Sequence, residues 1–185
     1  NRQKFMTTLG IPAGHHAVPD VIFTGDDYCR YETAQHDEVI TADALATDQA
    51  GLPILLPLAD CTGAILYDPI QRALMVSHLG RHSTEQHGAI KSVEYMTAAY
   101  GSSADDILVW LSPSPNGDDY PLWSFANRSF NSVLNEQFAA AGITPDHIES
   151  SPVDTVSSLE YYSHSEYLKG NRSVDGRYAI VAMLQ

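Results

Sequence analysis

Three short apolar runs follow one another along the chain: LPILLPL (52–58), GAILY (63–67) and ALMVS (73–77). Each is bounded by turn residues. Asp68-Pro69 separates the last two, which therefore read as a hairpin. Unbroken apolar runs of this length suit strands covered on both faces. From Thr84 to Tyr100 the period lengthens. Ile90, Val93, Met96 and Tyr100 recur at helical spacing, and Gly101 stops the run. ILVWL (107–111) reads as another buried strand and YAIVAML (178–184) as the last one. Between them, 125–141 reads as a helix with Phe130, Val133, Leu134, Phe138 and Ala141 on one face and Gly142 as its stop. The first quarter is less regular. NRQKFMTTLG (1–10) reads as a short helix closed by Gly10, IPAGHHAVPD (11–20) as a loop and VIFTG (21–25) as a short strand. DDYCRYETAQHDE (26–38) fits no single period, ITADALATDQAG (40–51) is loop-rich, and SPSPNGDDYP (112–121) is a loop. No repeat or low-complexity segment interrupts this order. The pattern predicts an α/β sandwich, a mixed β-sheet flanked by helices, in one domain over 1–185.

Composition narrows the partners. With 185 residues, 44% of them hydrophobic, the chain can bury a sizeable core. Its formal net charge of −13, with no Lys/Arg cluster, argues against nucleic acid and anionic membrane surfaces and leaves small molecules open. No apolar run approaches the roughly 20 residues of a membrane span. Cys29 and Cys61 form no CxxC, so a reducing, cytoplasmic setting is expected. The chain begins at Asn1 without an initiator Met, so a missing N-terminal segment is expected. The Asn-x-Ser sequons at Asn127 and Asn171 read as chance matches.

The candidate chemistry sits beside the apolar runs. Cys61 follows the first of them, and His78 ends the third. Strand ends commonly display functional side chains. A thiol and an imidazole brought together by a hairpin suit either a nucleophilic Cys–His pair or part of a zinc site. Buried Cys and His are more often plain core residues, so each alone says little. Asp60 and Asp43 stand near enough in sequence to orient an imidazole or to form turns. His36, His82 and His87 are further imidazoles, and His15, His16 and His164 fall in loops. Ser163, His164, Arg172 and Arg177 make a polar stretch before the last strand. A basic side chain there could hold phosphate or a carboxylate.

The order ADALAT (42–47), ADC (59–61), YDP (67–69), SHLG (77–80) and DGRYAIVAML (175–184) resembles the YfiH-like, laccase-domain family, and NRQKF and LG near the start extend the match. The resemblance implies the α/β sandwich fold shared with cytotoxic necrotizing factor catalytic domains. It implies metal-dependent purine nucleoside chemistry: phosphorolysis of adenosine, inosine, guanosine or methylthioadenosine, or adenosine deamination. It implies a zinc site of one Cys and two His, with Cys61 and His78 at two of the positions as metal ligands and catalytic residues. Asp60, Ser163 and Arg177 would then bind substrate, and the partners would be a purine nucleoside and phosphate. Several positions depart from the family pattern. Thr24 stands where the family has its first metal His. HAGWRG reads HLGRHS, with Arg81 and His82 in the Trp and Arg positions. The Ser-Arg-Arg stretch reads Ser163-His164-Ser165, and a Cys-Thr pair reads Asp154-Thr155. A third ligand would have to come from His36, His82 or another chain. Two readings follow: an enzyme on purine nucleosides, or a nucleoside-binding relative with an incomplete metal site. A copper oxidase would need repeated His-x-His patterns, which the chain lacks.

Overall fold

The computed structural model describes residues 2–12, 14–36, 38–117 and 119–185. In chain order its elements begin with helix α1 (Arg2–Thr8) and strands β1 (Val18–Pro19), β2 (Tyr31–Thr33), β3 (Val39–Ile40), β4 (Ala44–Thr47) and β5 (Ile54–Leu58). The hairpin β6 (Thr62–Asp68) and β7 (Ala73–Leu79) follows, then helices α2 (Arg81–Glu85) and α3 (Gly88–Tyr100). Strand β8 (Leu108–Leu111), helix α4 (Phe130–Ala140), strand β9 (Ile148–Ser150), helix α5 (His164–Leu168) and strand β10 (Tyr178–Ala182) complete the order.

Six strands form a mixed sheet in the order β2-β4-β7-β6-β8-β9, parallel at its two outer pairs and antiparallel inside. One face carries Ala44, Ala64, Leu66 and Met75 against Val93, Met96, Phe130 and Phe138 of α3 and α4. The other face carries Leu45 and Val76 against Leu56, Leu58 and Ile180 of the antiparallel β5–β10 pair. Met6 of α1 and Val18 pack with Leu55 in a smaller third cluster, joined by Ala179 and Val181. The expected sandwich is therefore present, with its central strands covered on both faces, as their unbroken apolar runs require.

Several local readings are corrected. ITADALATDQAG is loop-rich by composition, yet Ala44–Thr47 is a fully buried strand paired with both β2 and β7. Its small side chains carry little strand propensity, and its place between two strands makes it one. VIFTG has the pattern of a strand, but residues 21–25 pair with nothing in the sheet. Within the loop read at 11–20, Val18–Pro19 pairs with β3. The helix read over 84–100 is two, because His87 adopts a left-handed φ of 61° between them. The helix read from 125 starts at Phe130, since Ala126 and Asn127 have φ of 54° and 58°, and Ser129 Oγ caps it by accepting from the Ser132 N–H. Asn1, Ala13, Asp37 and Asp118, which fall within segments read above, lie outside the described residues.

The β6–β7 turn is held by one buried carboxylate. Asp68 Oδ1 accepts from the Ile70 N–H at 2.8 Å and the Gln71 N–H at 3.0 Å. Asp68→Ala leaves both donors unpartnered and is expected to lower unfolding free energy by about 1–2 kcal/mol. Asp68→Asn retains an accepting oxygen and is expected to lose less. Urea titration of the two variants measures the difference.

Candidate functional site

The hairpin builds the centre of the site. Its register pairs Thr62 with Leu79 and Gly63 with His78, and one further step sets Cys61 beside Gly80. His78 and Gly80 are two residues apart and share a face of the strand. A Cβ placed on Gly80 would lie 3.0 Å from Cys61 Sγ and 3.0 Å from His78 Cε1, so thiol and imidazole converge on one point. The turn that delivers Cys61 is made by Asp60, whose φ of 74° is a left-handed conformation that non-glycine residues seldom adopt. Asp60 Oδ2 accepts from the Ser165 N–H at 2.6 Å, which ties the start of α5 to this turn.

Both central groups are uncharged. Burial lowers the His78 imidazole to about 4, partly countered by the Asp43 carboxylate. Burial pushes the Cys61 thiol up to about 12. Asp60 reinforces that shift, and Arg81 and Arg177 oppose it. At neutral pH this chain therefore presents a protonated thiol, a weak nucleophile, beside a neutral imidazole. His78 Nδ1 and Asp60 Oδ1 are buried without a hydrogen-bond partner. Buried polar atoms in native proteins are nearly always paired, so these two are free for a ligand.

Both residues line a cavity of about 630 Å³, within the range of small-molecule sites. Phe23 stands edge-on to His78 at 5.7 Å, and Tyr28 stacks on His82 at 4.7 Å. Arg177 and His164 line the cavity too, and both bond to Asp175, at 2.6 Å and 3.0 Å. Other sequence candidates serve the fold. Asp43 lines the cavity, but Arg30 takes both of its carboxylate oxygens, and its carbonyl accepts from the His78 N–H. Ser163 Oγ caps α5 through the Glu166 N–H and is not among the lining residues. Arg172 donates to the carbonyls of Val156 and Ser158. His36 lies against His15, away from the cavity. Cys29 and Cys61 are both free thiols. Phe23, Tyr28 and Tyr120, which the sequence reading did not single out, supply aromatic lining. Only the aromatic content of loop segments hinted at them.

The donors fall short of the zinc set that the resemblance implies. Cys61 and His78 meet, but among the described residues no group of three or more His, Cys, Asp or Glu side chains is placed to hold a metal. Catalytic zinc ordinarily takes three protein ligands. Thr24 is exposed, and the neighbouring Phe23 is the residue that reaches His78. The described residues do not supply the three-ligand set that fits a resident zinc ion.

A crystal structure of a hypothetical protein YfiH from Bacillus licheniformis superimposes on all of this chain and 79% of its own, with a TM-score of 0.83 at 20% identity. The molecule thus has the YfiH-type fold. A family model described as multi-copper polyphenol oxidoreductase laccase matches residues 1–132, and the chain belongs to that family. A Mus musculus protein named purine nucleoside phosphorylase is 34% identical over 91 residues, 49% of this chain and 21% of the relative. A protein of the same name from Bacteroides thetaiotaomicron is 27% identical over 107 residues, 57% of this chain and 39% of the relative. The chain thus spans well under half the length of these two relatives. Among the described residues no helix is long and apolar enough to cross a membrane.

Proposed function

We propose that the cavity takes a purine nucleoside and cleaves its N-glycosidic bond with phosphate. The observation that carries this reading is the convergence of Cys61 and His78 on Gly80 at the floor of an aromatic-lined cavity with unpartnered buried polar atoms. The names of the relatives agree with it. With the thiol protonated, the nucleophile comes from solution. A phosphate oxygen bonds to the anomeric carbon as the bond to the purine nitrogen breaks. The bonding electrons leave with the base, and the proton of hydrogenphosphate ends on the base. Neutral His78 offers one donor and one acceptor, and the Cys61 thiol a weak donor, for orienting base and sugar. Asp60 Oδ1 accepts from a ligand hydroxyl or N–H. Water in place of phosphate would give hydrolysis, and attack at the adenine amino carbon would give deamination.

The test is chromatography of adenosine, inosine, guanosine and methylthioadenosine incubated with the protein, with and without phosphate. Free base and the pentose 1-phosphate (ribose 1-phosphate, or its 5-methylthio derivative from methylthioadenosine) that require phosphate are expected. Hypoxanthine riboside from adenosine would instead identify deamination. The incomplete ligand set favours a second reading, a nucleoside-binding protein without turnover. Calorimetric binding with no product would establish it. Gly80→Ala tests the convergence itself. Its Cβ forces thiol and imidazole apart by a few tenths of an ångström, so about a tenfold loss of turnover is expected, with thermal stability changed little.

A further inference from the structure

Arg81 opens α2 directly beside the Cys61–His78 pair, at the position where the family pattern has Trp. Its guanidinium lies over two rings, 4.6 Å from the centre of Tyr120 and 4.3 Å from the centre of Trp123. Leu122, between them in sequence, is fully buried and fixes that loop. Arg81 Nε is buried with no hydrogen-bond partner. Among the described residues no carboxylate pairs with Arg81, whereas Arg30, Arg128 and Arg177 each have one. In a chain of net charge −13, carboxylates are plentiful. A cation held by two aromatic faces, kept from them, and lining a cavity is arranged to meet an anion from solution.

We infer that Arg81 anchors an anion subsite in this cavity, and that the ligand it takes carries a phosphoryl group. Two cations, Arg81 and Arg177, line this cavity and act on Cys61. His82 and His164 line the same cavity; Nδ1 of each lies against a carboxylate, Glu85 at 3.3 Å and Asp175 at 3.0 Å, which leaves the Nε2 of each ring. Several donors around a fork-shaped guanidinium suit a doubly charged tetrahedral anion better than a single carboxylate. Asp60 Oδ1, the unpartnered acceptor of the same cavity, repels an anion and takes a hydroxyl or N–H instead. The cavity therefore offers both an anion-binding cation and an acceptor for a ligand hydroxyl or N–H, each close enough to act on Cys61. This inference rests on the proposed function for the identity of the rest of the ligand, and on the geometry alone for the anion.

The source of the phosphoryl group is either free phosphate or a nucleotide, and one set of titrations decides. Calorimetry at low ionic strength with inorganic phosphate is run on wild type, Arg81→Gln, Arg81→Lys and, as a distant control, Arg128→Gln. Wild type is expected to bind. Arg81→Gln should bind about tenfold or more weakly, a loss of at least about 1.4 kcal/mol. Arg81→Lys keeps the charge without the fork and should fall between, and Arg128→Gln should match wild type. Equal phosphate affinity in wild type and Arg81→Gln, or no binding to wild type, overturns the inference and leaves Arg81 a strap for its loop. Should Arg81→Gln fail to fold, equal affinity in wild type and Arg81→Lys overturns it. Inosine that binds alongside phosphate identifies free phosphate as the ligand. Inosine 5′-monophosphate that displaces phosphate and binds at least about tenfold tighter than inosine identifies the nucleotide's own phosphoryl group. Absent nucleoside turnover with an Arg81-dependent phosphate site would remove the proposed function and keep this inference. Turnover with a phosphate affinity indifferent to Arg81 would do the reverse.

Discussion

Cys61→Ala is expected to reduce base release from a purine nucleoside by about 100-fold or more. The thiol is one of two groups that the β6–β7 register brings to the point beside Gly80, and the chain's other thiol, Cys29, is turned to the Ser83 carbonyl. Its burial makes it a poor free nucleophile, so its contribution lies in orienting what binds against it. The loss should fall on kcat more than on nucleoside affinity, because Phe23, Tyr28 and Asp60 still line the cavity. Cys61→Ser keeps a donor of similar shape and should retain more activity than Cys61→Ala. Steady-state rates of both variants, set beside their melting temperatures, measure this. A folded Cys61→Ala protein with the wild-type rate would remove the thiol from the chemistry.

The second large effect is on stability. His78 resists protonation until about pH 4 in the folded chain, against its ordinary value of 6.5. As pH falls through 6.5 the unfolded chain takes up a proton that the folded one refuses. The stability His78 contributes is complete above pH 6.5 and is lost between there and pH 4, about 3 kcal/mol across the window. Carboxylates titrate over part of the same range, so the quantity to measure is the difference from His78→Gln, which cannot take the proton. Urea unfolding of both proteins across this window should show a steeper fall with acid in wild type. Parallel curves would mean that His78 is solvated and that the cavity floor is wetter than the geometry shows.

The strands that carry the site could be read in the sequence because their apolar runs are long for their length and cleanly bounded. Asp68-Pro69 marks the hairpin, and so the chance that Cys61 and His78 end up at neighbouring strand ends, but the register that sets both beside Gly80 is a property of the folded sheet. Strand β4 could not be read, because Ala44, Leu45 and Ala46 acquire their strand character from β2 and β7 on either side. VIFTG has strand composition without a pairing edge, and Val21 and Phe23 line the cavity instead. The break at His87 depends on a left-handed backbone that no side-chain pattern announces. The contact of Arg81 with the Tyr120 and Trp123 rings is equally hidden. It joins the start of α2 to a loop beyond β8, and loop segments carry no periodicity from which a contact can be inferred. Asp43 shows the converse. Its place in the sequence made it a candidate for the chemistry, and the structure commits its carboxylate to Arg30.

The central claim is that a purine nucleoside binds against Cys61 and His78. Nuclear magnetic resonance of the histidine rings, followed as inosine is added, tests it most directly. The account predicts shifts at His78, with smaller ones at His82 and His164 on the cavity wall, and none at His147, which lines a separate groove beside Trp110. Shifts at His147 with His78 unmoved, or no shift at any ring under saturating inosine, would contradict it.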